Sequence, residues 1–237
     1  MNIMQVSPLF SIAPEGPISA ESYDLVHLRQ GDLDGACGPY CLFSALIALG
    51  LLQRADVLEN MSFWKGSSRE GRLRDALKKF GVLSSDGTFG WDLVELTSYY
   101  KRKGLVARHD EASKKHVMQT ICDAIDAGGL PIVGVGWPGG GGHWLLVVGY
   151  QGVEKDGHVQ RTHLLCLDPW QESPKASLWN TVIEVYDAEG ASANQGRLSS
   201  NHWTMRGDVT KCQIKDTVTL SIKSKPSNRD SLTNPNF

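Results

Sequence analysis

The sequence lacks a long hydrophobic run, an extended run of one charge and a dense set of cysteines. Its longest apolar stretch, "CLFSALIALGLL", is well short of the ~20 residues that cross a membrane, and the N-terminus has no signal-peptide pattern. We therefore expect no membrane span. The formal net charge is -2 with no long run of either sign, so we also expect no nucleic-acid partner. Five cysteines, an odd number, favour free thiols in a reducing compartment. We therefore expect a protein that is cytoplasmic where it is made, with export by a signal-independent route left open.

Local patterns predict helices in the first half of the chain and strands in the second. The stretch from Cys37 to Leu49 has Pro39 in its first turn and Gly50 after its end, which predicts a helix. Helical spacing recurs in 70–81, 90–104 and 114–129. After Gly129 the sequence changes to short β-rich runs, which are "LPIVGVGW", "HWLLVVGY", "THLLCLDP", "NTVIEVYDA" and "DTVTLSIK".

This segregation predicts an α+β fold, in which an N-terminal helical lobe packs on a C-terminal antiparallel β-sheet and a cleft lies between them. Residues 1–22 show little periodicity and are predicted to be an extension along the body. Residues 23–222 form the predicted domain, and 223–237 are predicted to be a flexible polar tail.

Cys37 is the first candidate for chemistry. It follows the loop "GDLDGA" and precedes Gly-Pro, so it falls at the start of the predicted helix. There the unpaired N–H groups and the positive end of the helix dipole stabilise a thiolate. Cys41, one turn further on, is predicted to be a buried packing residue. A catalytic nucleophile and a packing thiol both remain open for Cys37 from its position alone.

A thiol nucleophile needs a base, and His143 is the best candidate. It follows "GWPGGGG" and opens the strand "HWLLVVGY", so glycines up to Gly142 let the backbone pass close to a cleft. The alternative role for these glycines is a flexible hairpin loop. His202 is the rival histidine, while His109, His116 and His158 are predicted to be exposed.

Asp168 is the candidate for orienting the imidazole of His143. A symmetric hairpin centred between Lys155 and Asp156, in the turn signal that ends at Gly157, places His143 and Asp168 opposite each other on paired strands. Cross-strand partners have Cβ atoms about 4.5–5.5 Å apart, which permits an Asp–His hydrogen bond. The alternative is that "DP" simply ends a strand.

Three other residue types complete the predicted cleft. The side-chain amide of Gln30, upstream of Cys37, can join a backbone N–H in binding a developing oxyanion. Trp137 and Trp170 adjoin the candidate histidine and aspartate, so they and Gly142 are predicted to contact substrate. Each tryptophan alone is equally compatible with core packing.

The order of Gln30, "CGPYCLFSAL", "AGGLPIVGV", "GGHWLLVVGY" and "LLCLDP" resembles papain-like cysteine peptidases, most closely the bacterial family that processes bacteriocin precursors at double-glycine leaders. The resemblance implies a papain-like fold over the 23–222 domain and a protein or peptide substrate. It also implies catalytic roles for Cys37 as nucleophile, His143 as base and acid, Asp168 as its orienting group and Gln30 in the oxyanion hole. No metal or organic cofactor is implied, and both a processing protease and a secreted bacterial effector stay open.

Other functions use the same residue types. Glutamine deamidases and transglutaminases pass through the same thioacyl intermediate, so they are the main alternative to a peptidase. A non-catalytic papain-fold binding module is the second alternative. A zinc site built from Cys37, Cys41 and distant histidines is the third, because the cysteine spacing lies within the range of zinc sites. Neither the oligomeric state nor an inhibitory role for residues 1–22 follows from the sequence.

Overall fold

The computed structural model describes residues 1–31, 35–78, 87–111, 117–185 and 200–223. Within these ranges it has ten strands: β1 (Asn2–Val6), β2 (Phe10–Ala13), β3 (Gly16–Ser19), β4 (Leu105–Glu111), β5 (Leu130–Gly136), β6 (Gly142–Lys155), β7 (His158–Leu167), β8 (Thr181–Glu184), β9 (Ser200–Thr204) and β10 (Val209–Ile222). The α-helices are α1 (Cys37–Ala48), α2 (Arg54–Leu58), α3 (Arg69–Leu77), α4 (Gly90–Thr97) and α5 (Val117–Asp126). Two short 3₁₀ segments occupy Met61–Phe63 and Ser98–Lys103.

Six of the strands close into an antiparallel barrel. The path runs β6–β5–β10–β9–β8–β7, and the pairing of β7 with β6 closes the ring. β6 and β10 are both long enough to pair with two different strands along one edge. β6 pairs with β5 near its start and with β1 further along, while β10 pairs with β9 near its start and with β4 near its end. Strands from both halves of the chain therefore build one sheet.

The predicted architecture, a papain-like α+β fold with an N-terminal helical lobe packed on a C-terminal sheet, is wrong. The sheet closes on itself as a barrel, and the helices in the described ranges are short, with 12 residues in α1 and 5 to 10 in the others. The first half also supplies β1 and β4 to the sheet. Strand pairing and barrel closure depend on contacts between distant segments, which local periodicity does not report.

Individual elements agree better with the sequence patterns. The predicted helix at Cys37 is confirmed as α1, and Gly50 follows it with a φ of 65°. The five β-rich runs are confirmed as β5, β6, β7, β8 and the second half of β10. Residues 1–22 contain β1, β2 and β3, whereas of the predicted tail 223–237 only Lys223 lies in the described ranges.

β6 is buried on both faces, and this fixes its first residues in place. Leu146 and Val148 belong to the apolar core beneath α1, whereas Leu145 and Val147 belong to the core that includes α5. Adjacent side chains of a strand point to opposite faces, so a strand covered on both sides is apolar throughout. The run "HWLLVVGY" thus anchors the candidate histidine on a rigid strand.

No helix in the described ranges is both long enough and apolar enough to cross a membrane.

Candidate active site

Cys37 is the first residue of α1 and lines a cleft of about 630 Å³. The helix begins after Ala36, which provides no side-chain cap, and its first turn contains no acidic residue. The first N–H groups of a helix have no intrahelical partner, and they carry the positive end of its dipole. The Cys37 side chain is 7% exposed, so the thiol meets solvent through the cleft.

His143 connects the thiol to a buried carboxylate. Its Nε2 lies 2.6 Å from Asp168 Oδ1, and both side chains are nearly inaccessible. Since Nε2 contacts the carboxylate, the hydrogen bond between His143 and Cys37 uses the other ring nitrogen, Nδ1. The three side chains therefore form a continuous Cys–His–Asp chain of contacts across α1, β6 and the end of β7.

The predicted contact between His143 and Asp168 is present, but the strand register that led to it is wrong. β6 and β7 turn at Asp156–Gly157, and two irregularities interrupt their pairing. The last pair joins Leu146 to Leu167, which puts Asp168 diagonal to His143 and two residues from the predicted register. Diagonal partners on paired strands remain within reach of long side chains.

Burial and hydrogen bonding have opposite effects on the charge of His143. Burial lowers its pKa, but the hydrogen bonds to Asp168 and Cys37 raise it, and the net result is a pKa of about 10. Burial also disfavours the charged form of Asp168 and so raises its pKa. The hydrogen bonds to His143 and His202 have the opposite effect, and the net pKa lies well below the usual range of a carboxyl group. Imidazolium and carboxylate are therefore the favoured forms of this pair at neutral pH.

Asp168 has contacts on both carboxylate oxygens. Oδ1 also accepts a hydrogen bond of 2.8 Å from the Trp170 N–H. Oδ2 lies 3.5 Å from His202 Nε2 and accepts from Thr181 Oγ1 at the same distance. His202, the rival base of the sequence analysis, thus lies on the opposite side of the carboxylate from His143.

The main chain of Asp168 is held by two buried residues that sequence reasoning missed. Asn180 Oδ1 accepts from the Asp168 N–H at 2.7 Å, and Asn180 Nδ2 donates to the Asp168 carbonyl at 3.0 Å. His27 Nε2 donates to the same carbonyl at 2.9 Å, and burial lowers the pKa of His27, which favours the neutral ring. Asn180 directly precedes β8, and a polar residue before a strand is too common a pattern to single it out.

The other predicted site residues lie around two adjoining cavities. Gln30, Gly142 and Trp170 line the cleft with Cys37 and His143, and the Gln30 N–H donates to the Pro169 carbonyl at 2.7 Å. Trp170 meets the His143 ring edge-on with 6.0 Å between ring centroids. Trp137 does not line this cleft and instead faces the second cavity, which is lined by Asp168 and His202.

Glycines form much of the cleft wall. Gly134 and Gly136 lie on β5, separated by Val135, and four other lining residues are glycines: Gly35, Gly87, Gly141 and Gly142. A Cβ on Gly134 would lie 3.1 Å from the Trp144 ring, so the indole occupies the space that a side chain would need. Gly134 therefore makes room for Trp144, and Gly136 likewise makes room for the side chain of Lys215.

Two charged residues of β10 also line the cleft. Pairing between β5 and β10 shifts at Lys215, and Lys215 and Asp216 both line the cleft. Asp216 Oδ1 lies 2.8 Å from Nε2 of His109 on β4. His109 was predicted to be an exposed residue at a helix end; it is instead a partly buried strand residue because 105–111 pair with β10.

The other four cysteines are buried free thiols. Cys41 donates to the Trp144 carbonyl at 3.2 Å, and burial raises the pKa of each of these thiols. Across the described ranges, no group of three or more His, Cys, Asp or Glu side chains is arranged to hold a metal ion.

Neither a scan against protein-family models nor a search of curated proteins finds a match for this chain.

Proposed function

We propose that the protein is a thiol hydrolase of the cysteine peptidase class, acting on a protein or peptide. The observation that carries the proposal is the Cys37–His143–Asp168 chain at the N-terminus of α1, inside an open cleft. The order of Gln30, Cys37, His143 and Asp168 resembles bacteriocin-processing peptidases, and this resemblance supports the same class of activity.

The residues have distinct roles in the proposed reaction. The Cys37 sulfur attacks the substrate carbonyl carbon while His143 Nδ1 carries the thiol proton. The C–N bond then breaks as His143 gives its proton to the leaving amine, which leaves a thioester on Cys37. Neutral His143 next takes a proton from water as that water attacks the thioester. The C–S bond breaks, the product acid leaves, and the Cys37–His143 pair is restored with the proton between them.

Asp168 and Gln30 support these steps without bonding covalently to substrate. Asp168 fixes the ring of His143 through Nε2, so that Nδ1 faces the thiol, and it stabilises the imidazolium. The backbone N–H at the start of α1 and the Gln30 side chain are placed on the same cleft to receive the developing oxyanion.

The test is selective alkylation followed by intact-mass measurement. Brief iodoacetamide treatment at pH 6 should add one adduct to the wild type, since Cys37 lines the cleft and the other four thiols are buried. Cys37→Ala should abolish the adduct, His143→Ala should slow it strongly, and Cys41→Ala is the matched control that should label at the wild-type rate. Equal slow labelling of several cysteines, or none, would contradict an activated thiol.

A screen of peptides then identifies the substrate class. Mass spectrometry of the products separates peptide cleavage from the loss of ammonia by glutamine, and Cys37→Ala supplies the uncatalysed background. Ammonia release without peptide cleavage would contradict the peptidase proposal and indicate a glutamine deamidase instead.

A further inference from the structure

A second cavity of about 670 Å³ lies on the Asp168 side of the His143 ring. It shares Gly142, His143 and Trp170 with the first cleft, but it is lined by Asp168 and not by Cys37. The two cavities therefore adjoin at the imidazole of His143. A chain bound over Cys37 can extend into both.

The chemistry of the proposed reaction assigns a direction to a chain bound across the two cavities. His143 must deliver its proton to the leaving amine, so the part of the substrate that follows the scissile bond lies on the histidine's side of the thiol. The second cavity is on that side, because it begins at His143 and continues towards His202. It is thus placed to receive the leaving group.

Two indole rings stand in the wall of this cavity. Trp170 is 61% exposed and packs edge-on against His143, while Trp137 packs edge-on against His202 with ring centroids 5.2 Å apart. Their contacts with the histidines hold the rings at the site. Indole faces attract cations, and tryptophan is the strongest side chain in this respect.

Asp208 adds a negative charge to the same cavity. It lies in the turn between β9 and β10, where its carboxylate accepts from Thr204 Oγ1 at 3.3 Å and its carbonyl accepts from the Thr204 N–H at 3.0 Å. No lysine or arginine occurs among the described residues that line the cavity, and the charge of Asp168 faces His143. Asp208 is therefore the carboxylate that a bound cation would meet.

We propose that this cavity is a leaving-group subsite for a cationic side chain, lysine or arginine, in the residue that follows the scissile bond. The inference rests on the proposed function and deepens it. The cation lies between the indoles and the Asp208 carboxylate.

An acyl-acceptor experiment on the full chain tests the subsite without a known substrate. Cys37 is acetylated by p-nitrophenyl acetate, and arginine amide or its uncharged isostere citrulline amide competes with water for the thioester. The acceptor's amino nitrogen bonds to the acetyl carbon as the C–S bond breaks, and its proton passes to His143. An acceptor occupies the leaving-group subsite because transfer to it is the reverse of amide cleavage.

We expect the wild type to favour arginine amide over citrulline amide by about three- to tenfold, the range of exposed cation–π and ion-pair contacts. Asp208→Asn should reduce this ratio at least twofold, and salt should reduce it in the wild type. Asp156→Asn is the matched control, since it removes an exposed carboxylate at the far end of β6 where φ is 53° and Asn is well tolerated.

The outcomes separate the two proposals. The cationic subsite is overturned if the wild type transfers acetyl equally to arginine amide and citrulline amide, or if Asp208→Asn leaves their ratio unchanged. Acetylation of Cys37 would still support the proposed function in either case. If Asp208→Asn and Asp156→Asn lower the ratio equally, the cationic subsite is also overturned. The preference for arginine amide would then come from the overall charge of the protein and not from a contact in the cavity. Release of p-nitrophenolate that Cys37→Ala does not diminish overturns the proposed function, and the subsite falls with it. The p-nitrophenolate burst of Asp208→Asn reports whether that variant is folded and acylated.

Discussion

Replacement of Asn180 by alanine should lower both the stability of the protein and the reactivity of Cys37. Asn180 is fully buried, and its amide bonds to the Asp168 N–H, the Asp168 carbonyl and the Glu172 carbonyl. The carbonyl of Asp168 keeps a second donor in His27, but the N–H of Asp168 loses the partner described here. The substitution therefore removes the acceptor of a buried N–H group beside the candidate catalytic carboxylate.

The magnitude follows from these three bonds. A buried N–H left without a partner costs about 1–3 kcal/mol, and each of the two lost bonds to carbonyls contributes about 0.5–1.5 kcal/mol. We expect the free energy of unfolding to fall by roughly 2–6 kcal/mol, before any cavity cost. A shift of Asp168 by a fraction of an ångström misplaces His143 as well, and misplacement of about 1 Å costs up to about 100-fold in rate.

Two measurements on the same variant test this reasoning. Urea unfolding gives the change in stability, and the rate of Cys37 alkylation under native conditions gives the change in reactivity. Asn201→Ala is the matched control, because Asn201 lies on β9 and its amide bonds only partly exposed groups, Glu184 and Lys211. Loss of less than 1 kcal/mol in Asn180→Ala, with unchanged alkylation, would refute the argument that Asn180 positions Asp168.

Two other substitutions test the packing and the charge of the site. Gly38→Ala should cost about 1–3 kcal/mol in urea unfolding and slow alkylation, since its Cβ would overlap Thr88 Oγ1 and lie 3.1 Å from the Trp144 ring. Gly139→Ala, whose Cβ meets nothing within 4 Å, is the control, and equal effects would contradict this. The pKa of His143 is raised from 6.5 to about 10 in the folded protein. The contribution of charged His143 to folding stability is therefore complete below pH 6.5 and declines as the pH rises towards 10. Because the pKa of Asp168 is lowered from 3.8, the stability of wild type relative to His143→Gln should peak between these two ordinary pKa values; a pH-independent difference would refute the ion pair.

The sequence predicted those parts of the site that local signals specify. Pro39 in a first turn and Gly50 beyond the end define α1, so the position of Cys37 at a helix N-terminus followed directly. The apolar run after His143 likewise identified β6. In both cases a few adjacent residues determine the backbone, and the candidate side chain is attached to the predicted element.

The sequence did not predict what distant segments decide. β9 lies in "SSNHWTMRG", which has no clear strand pattern, yet its pairing with β8 and β10 is needed to close the barrel. The same strand brings His202 to Asp168, although His202 had been considered only as a rival to His143. The helical-lobe architecture was wrong for the same reason: counts of helices and strands do not say which strands are neighbours.

The distance between the thiol and the imidazole depends on how α1 packs against β6. Gly38 and Cys41, one turn apart on α1, both contact Trp144, the residue after His143: Gly38 leaves room for the indole, and Cys41 donates to the Trp144 carbonyl. The Trp144 Nε1–H in turn donates to the Thr88 carbonyl in the cleft wall at 2.8 Å. Trp144 therefore joins the helix, the strand and the cleft wall at one point, directly beside His143 and one turn or less from Cys37 on α1.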